Sequence, residues 1–296
     1  MCIRDSLNVM KLLGKGLTVF VIDYNGMAAD NSIQSYGNNV EAGRAMLDGA
    51  RAVRELKGLN KNVPVGIWGF SQGGSASYVG AALQPSYAPD VNLKVSYVGA
   101  PPIDLLGTLK SIEGGALSGL LGYGINGYAG TYPGVKQAVD ENVNAKGRKN
   151  LAKIGNSCVA DTLMGYAYQD TAKWTKDGKP LVAFLNKYPE VLKIFQDQLN
   201  ASTKTPKARV VLYANRSDAV IPYDTVKNGV NTWCKAGAKV HFHTINYTAA
   251  GVAPLFTHML PNFLIFDQML DEVIGIFSGN PQSAGCVSSN LDFPLK

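Results

Sequence analysis

Gly69-Phe70-Ser71-Gln72-Gly73 is the only G-x-S-x-G pentapeptide in the chain, and its position says more than its letters. It ends an apolar stretch, Val63 to Phe70, that reads as a strand buried on both faces. Small residues come directly after it and predict a helix from about Gln72 to Leu83. A strand that turns into a helix within one residue needs glycine on both flanks, and it lifts the serine between them clear of the sheet. That is a nucleophile elbow, a stronger reading than an ordinary Gly/Ser turn.

The rest of the pattern agrees with such a fold. Thr18-Val19-Phe20-Val21-Ile22 is a β-branched apolar run that predicts a buried strand. From Val40 to Leu59, Ala42, Ala45, Met46, Ala50, Val53 and Leu56 recur at helical spacing, and Arg44, Asp48, Arg51 and Glu55 fall opposite. Lys94 to Ala100 predicts another strand, as do Arg209 to Ala214 and Lys239 to Tyr247. A helix from about Tyr223 to Ala236 lies between the last two, and a final helix, Asn262 to Phe277, closes the sheet. Strands alternating with helices imply a parallel sheet. Asp104 to Pro206 breaks the alternation: glycine-rich turns mix with amphipathic stretches such as Leu181 to Leu199, without a buried strand. An insertion of about a hundred residues in a compact α/β domain reads as a helical cap. The expected organisation is therefore α/β, with a core of residues 1–103 and 207–296 and a cap of 104–206.

A serine hydroxyl is a weak nucleophile until a base takes its proton. The chain has three histidines. His241 and His243 alternate on one strand and face the same way. They read as hydrogen-bonded strand histidines rather than metal ligands, because no third ligand is in view. His258 lies between the last strand and the last helix, in the stretch Pro254-Leu255-Phe256-Thr257-His258, and is the candidate base. A carboxylate must orient that imidazole. Asp218 fits, in the turn Asn215-Arg216-Ser217-Asp218-Ala219-Val220-Ile221-Pro222 after a strand, although aspartate is also common in such turns for local reasons. Asp224 is the rival, but it reads as first-turn helix charge. The order Ser71, Asp218, His258 is that of nucleophile, acid and base in the α/β-hydrolases. Two backbone N–H groups must also face the developing oxyanion, and one should be that of Gln72.

Other classes are excluded or weakened. Hydrophobic residues make up 46% and charged residues 17%, enough for a sizeable core and against disorder. No apolar run is long enough for a membrane-spanning helix. The net charge of +6 is spread along the chain without a nucleic-acid-binding motif, so mild attraction to anionic surfaces is the better reading. The chemistry requires no metal or cofactor. The first six residues, Met1-Cys2-Ile3-Arg4-Asp5-Ser6, look foreign to the rest of the chain, which reads as opening in mid-fold without a visible signal peptide. Setting Cys2 aside leaves Cys158, Cys234 and Cys286, an odd count that leaves the compartment open.

Several stretches together resemble the secretory lipase family, the lipase A-like α/β-hydrolases. They are Val21-Ile22-Asp23-Tyr24-Asn25-Gly26, the elbow, Pro85 to Leu93, Gly99-Ala100-Pro101-Pro102, Asn144-Ala145-Lys146-Gly147, Ser217 to Pro222, and Trp233 to Ala238. The resemblance implies hydrolysis of triacylglycerols or other carboxylic esters, export, contact with a lipid–water interface, and a cap gating an acyl-binding tunnel. It implies Ser71, Asp218 and His258 as the triad and Asp23 as the second oxyanion donor. It further implies a disulfide between Cys234 and Cys286, with the partner of Cys158 upstream, in a part that reads as missing from this chain. The family's N-terminal strands have no counterpart here.

Three other functions compete. An acyltransferase would use the same triad with an alcohol in place of water. A non-catalytic binding protein could keep the fold, although an intact triad argues against it. A serine peptidase would more often carry an extra domain. Leu117, Leu120, Leu121, Ile125, Leu163, Met164 and Phe184 could line an acyl site, but read better as the cap's own core.

Overall fold

A computed structural model of the chain describes residues 6–26, 34–248 and 255–293. The opening residues read as foreign lie outside the described part, except Ser6, which begins a helix, Ser6–Gly14. Pro254, at the start of the stretch that carries His258, also lies outside it.

Five parallel strands form one sheet in sequential order: β1 (Val65–Phe70), β2 (Leu93–Gly99), β3 (Arg209–Asn215), β4 (Val240–Asn246) and β5 (Val287–Asp292). Every residue of β3 is buried, as the centre of a sheet covered on both faces requires. The helix Gln72–Tyr87 is itself a core element, with Gly74 through Gln84 buried, so its small residues reflect crowding on all sides. The helix Asn39–Leu56 approaches it very closely. A Cβ at Gly43 would stand 2.7 Å from the backbone nitrogen of Gly80, so only glycine permits this crossing. Trp233, on the helix Tyr223–Lys235, stacks on Tyr78 at 3.7 Å and donates its indole N–H to the Ser202 carbonyl.

Several sequence expectations need correction. Thr18 to Ile22 is not a strand: the segment belongs to no ladder among the described residues, and Phe20 and Val21 remain exposed. Strand propensity alone does not supply a hydrogen-bonding neighbour, and the segment packs instead against Gly49 of the helix Asn39–Leu56. The last helix is two, Leu255–Leu264 and Phe266–Phe277, and the sheet closes on β5 rather than on a helix. The stretch Leu181 to Leu199 also divides, into Leu181–Leu185 and Pro189–Ser202. Pro189 has no N–H to give to a preceding turn, so it starts a helix rather than continuing one.

The chain divides into two compact units. Among the described residues, the sheet unit takes residues 6–22, then Asn39–Ile103, and the chain from Asn200 onward. The helical unit is Asp104–Leu199 together with the stretch from Asp23 to Asn38. It ends short of residue 206 and includes a stretch far upstream in sequence. Specific contacts explain that inclusion: Tyr128 donates its hydroxyl to the Gly37 carbonyl, Gln198 donates its side-chain N–H to Asn38, and a Cβ at Gly127 would stand 2.5 Å from the Tyr36 backbone. Within this unit Leu117, Leu121, Ile125 and Phe184 are core, whereas Met164 is 79% exposed.

Candidate active site

At the elbow, Ser71 has φ 54° and ψ −117°, a conformation that side chains other than glycine's rarely adopt. Its N–H donates to the Gly99 carbonyl at 2.8 Å, holding the turn against the end of β2. Glycine is sterically required before the turn at Gly69 and after it at Gly74. A Cβ at Gly69 would lie 1.9 Å from the Gly73 carbonyl oxygen, and one at Gly74 would lie 2.2 Å from that of Gly99. Gln72 is the first residue of the helix that continues from the turn, so its N–H belongs to the terminal donors that have no acceptor within the helix.

Asp218 comes after β3, and His258 lies on the helix Leu255–Leu264. The structure brings both to Ser71. His258 Nδ1 is 2.7 Å from Asp218 Oδ2, and His258 Nε2 is 2.8 Å from Ser71 Oγ. A carboxylate only accepts, so Nδ1 carries the proton, and Nε2 is left to accept from the serine hydroxyl. Both partners of the ion-pair contact are almost wholly shielded from water. The Phe70 ring lies 4.8 Å from the imidazole and covers part of it. The local role foreseen for Asp218 is also present: its Oδ1 accepts from the N–H groups of Val220 and Ile221. One oxygen thus locks the turn and the other holds the histidine. Asp224 sits in the first turn of the helix Tyr223–Lys235, as its reading as helix charge anticipated. Asp23 is exposed and opens the stretch that belongs to the helical unit.

Three residues that hold these groups in place were not anticipated. Asn215, the last residue of β3, donates to the carbonyls of Tyr247 and Thr257 and accepts from the Tyr247 N–H. Thr257 Oγ1 accepts from the Ala219 N–H, one residue past Asp218. Asn262, one turn after His258, accepts from the hydroxyls of Tyr97 and Tyr213, whose burial keeps them protonated by pushing both well above the ordinary phenol range. The acid's turn and the base's helix are thereby tied to the same strand ends. No spacing in the sequence marks these residues; an asparagine closing an apolar run was the one available signal.

Cys234 and Cys286 form a disulfide that fastens the start of β5 to the helix Tyr223–Lys235. Cys158 is disulfide-bonded as well. His241 and His243, on β4, both contact Glu272, at 2.8 and 2.9 Å. Burial pushes the Glu272 carboxyl up, but the hydrogen bonds from the two imidazoles outweigh it and hold the group at about 2.

A parallel sheet with a serine at a strand-to-helix turn, and with an aspartate and a histidine after later strands, is the architecture of the α/β-hydrolases. A model of the secretory lipase family matches residues 2–285, and the chain belongs to that family. The match begins inside the opening residues read as foreign. A secreted triacylglycerol lipase of Malassezia globosa is 29% identical over 260 residues, covering 85% of this chain and 55% of the relative. A Mycobacterium tuberculosis protein named a probable inactive lipase is also 29% identical, over 242 residues, covering 81% of this chain and 52% of its own. Among solved structures, Candida antarctica lipase A in its closed state shares the fold, with a TM-score of 0.82 at 23% identity, over 95% of this chain and 64% of that one. The chain spans about half the length of the curated relatives it matches. Among the described residues, no helix is long and apolar enough to cross a membrane.

Proposed function

We propose that this chain hydrolyses carboxylic esters of lipids, triacylglycerols among them, through an acyl-enzyme on Ser71, and that it acts outside the cell. The observation that carries the reading is the continuous hydrogen-bonded chain from Ser71 Oγ through His258 to Asp218. Family membership and the names of the secreted relatives support the substrate class and the compartment.

In this mechanism Ser71 Oγ attacks the ester carbonyl carbon while His258 Nε2 takes its proton. Asp218 Oδ2 holds Nδ1–H and offsets the charge of the imidazolium. The oxyanion is met by the Gln72 N–H. When the intermediate collapses, the ester C–O bond breaks and His258 returns the proton to the leaving alcohol. Water then attacks the acyl-serine with His258 again as base, and the free acid departs. The exposed Val159, Met164 and Tyr168 of the helical unit offer apolar contact to a lipid–water interface.

The relative named a probable inactive lipase favours a second reading, a non-catalytic protein on the same fold. One experiment separates the two: hydrolysis of p-nitrophenyl esters of increasing chain length by the chain, by Ser71→Ala and by Asp218→Asn. The proposed function expects activity that Ser71→Ala abolishes. It expects Asp218→Asn to lower kcat by about 10³–10⁴-fold, because the histidine loses its correct tautomer. Absence of hydrolysis by the folded chain would favour the second reading.

A further inference from the structure

His241, His243 and Glu272 take no part in the chemistry proposed for Ser71, yet they converge. The two histidines lie two residues apart on β4, and Glu272 reaches them from the helix Phe266–Phe277. One ligating atom from each lies within 4.8 Å of the other two. The glutamate is the third ligand that the sequence could not supply. Neighbouring ligands in a tetrahedral site with bonds of about 2.0–2.1 Å are about 3.3 Å apart. The 2.8 and 2.9 Å nitrogen–oxygen distances are therefore already short enough. A small rotation of the His241 ring, whose side chain is 25% exposed, can bring its nitrogen toward that of His243.

We propose that His241 Nδ1, His243 Nε2 and the Glu272 carboxylate bind one divalent transition-metal ion of the Zn²⁺ type, with the fourth position open to water on the His241 side.

Proton bookkeeping at the site permits this. Without the ion, both nitrogens carry the hydrogens they donate to Glu272, and the Ser289 hydroxyl, 2.7 Å from His243 Nδ1, donates to that nitrogen. On binding, each imidazole changes tautomer. His241 places its hydrogen on Nε2, and His243 places its own on Nδ1, where Ser289 accepts it instead of donating. A hydroxyl serves either role without moving. A ligand histidine whose second nitrogen is held in this way is the usual arrangement at protein metal sites. Arg209 acts electrostatically on Glu272, but its guanidinium is turned to the Ser283 carbonyl and leaves the carboxylate's oxygens to the histidines. The bound ion would join β4 to the helix Phe266–Phe277, beside β5, the strand that pairs with β4 and that the Cys234–Cys286 disulfide fastens. Its role there is structural.

The test is calorimetric titration of ZnCl₂ into the untagged, chelator-treated full chain, with the thermal midpoint recorded with and without the ion. The expected result is one ion per chain and a raised midpoint. Affinity should fall at least tenfold in His241→Ala and Glu272→Gln, and about 10–100-fold in Ser289→Ala, which leaves His243 Nδ1–H without an acceptor. His241→Ala changes a partly exposed side chain, so it keeps the test decisive if Glu272→Gln fails to fold. Absence of saturable binding below about 100 μM Zn²⁺ would overturn the proposal. So would binding as tight in His241→Ala as in the unmodified chain, since the ion would then sit elsewhere.

Discussion

Replacing Ser71 by glycine should abolish hydrolysis and yet leave a more stable protein than replacing it by alanine. Both variants lose Oγ and its hydrogen bond to His258, so the difference between them isolates the backbone. At φ 54° and ψ −117° a residue with a Cβ is strained by about 1–3 kcal/mol, whereas glycine enters the region freely. Against that gain, glycine loses more chain entropy on folding, about 0.5–1 kcal/mol. The half-buried Cβ of alanine is worth about a few tenths of a kcal/mol more. The balance favours Ser71→Gly by about 0.5–1.5 kcal/mol. Urea unfolding followed by tryptophan fluorescence measures it, best with Trp174→Phe in both variants so that Trp68 and Trp233 of the sheet unit provide the signal. If Ser71→Gly unfolds at lower urea than Ser71→Ala, by the ordinary glycine penalty, the elbow stores no strain and the reasoning fails. The strain matters for function, because the same backbone angles aim Oγ at the histidine.

Three further predictions concern the residues around the site and the fold that carries it. Asn215→Ala removes three buried hydrogen bonds at the end of β3 and should cost about 2–4 kcal/mol. It should also lower kcat more than it raises KM, and an unchanged kcat would show that Asn215 positions neither the acid nor the base. Removing the Cys234–Cys286 disulfide by replacing both cysteines with serine frees a loop of 52 residues, for which chain entropy gives about 4 kcal/mol. A change in unfolding free energy below about 1 kcal/mol would mean that the loop stays ordered in the unfolded chain. Asp90 is held below the ordinary carboxylate range, mainly by its hydrogen bonds to Arg51 and with help from Arg54, so its contribution is present above about pH 4 and fades as pH falls. The stability difference between the chain and Asp90→Asn should therefore shrink between about pH 5 and pH 2. Solvent screening at this half-exposed pair keeps that difference under about 1 kcal/mol. A difference independent of pH would remove the ion pair as its source.

How much of this was legible beforehand depended on the range of the interaction. The elbow is a local device: glycines, a serine and a switch from strand to helix occupy six consecutive residues, and steric exclusion at Gly69 and Gly74 leaves little choice of conformation. The apolar residues behind β1 and β3 are equally local signals, and β3, buried along its whole length, has little room for polar positions. Asp218 and His258 were legible as candidates from chain order and from the small number of histidines, since a serine nucleophile needs a base and an acid after later strands.

Pairing between distant segments was decided only in three dimensions. Thr18 to Ile22 has every residue preference of a strand and no ladder, because hydrogen-bonding partners come from other segments. Val287–Asp292 shows the reverse: Val287-Ser288-Ser289-Asn290-Leu291-Asp292 lacks an apolar run, yet its register with β4 makes it a strand at the sheet's edge. The upstream stretch ending at Asn38 joins the helical unit through contacts with Tyr128 and Gln198, about 90 and 160 residues away along the chain. Glu272 meets His241 and His243 only because a helix folds back across the strand that carries them. Residue type and local spacing determined which chemistry the chain could carry. Packing between distant segments decided which groups share a site, because the energy of each such contact depends on a partner that no local pattern identifies.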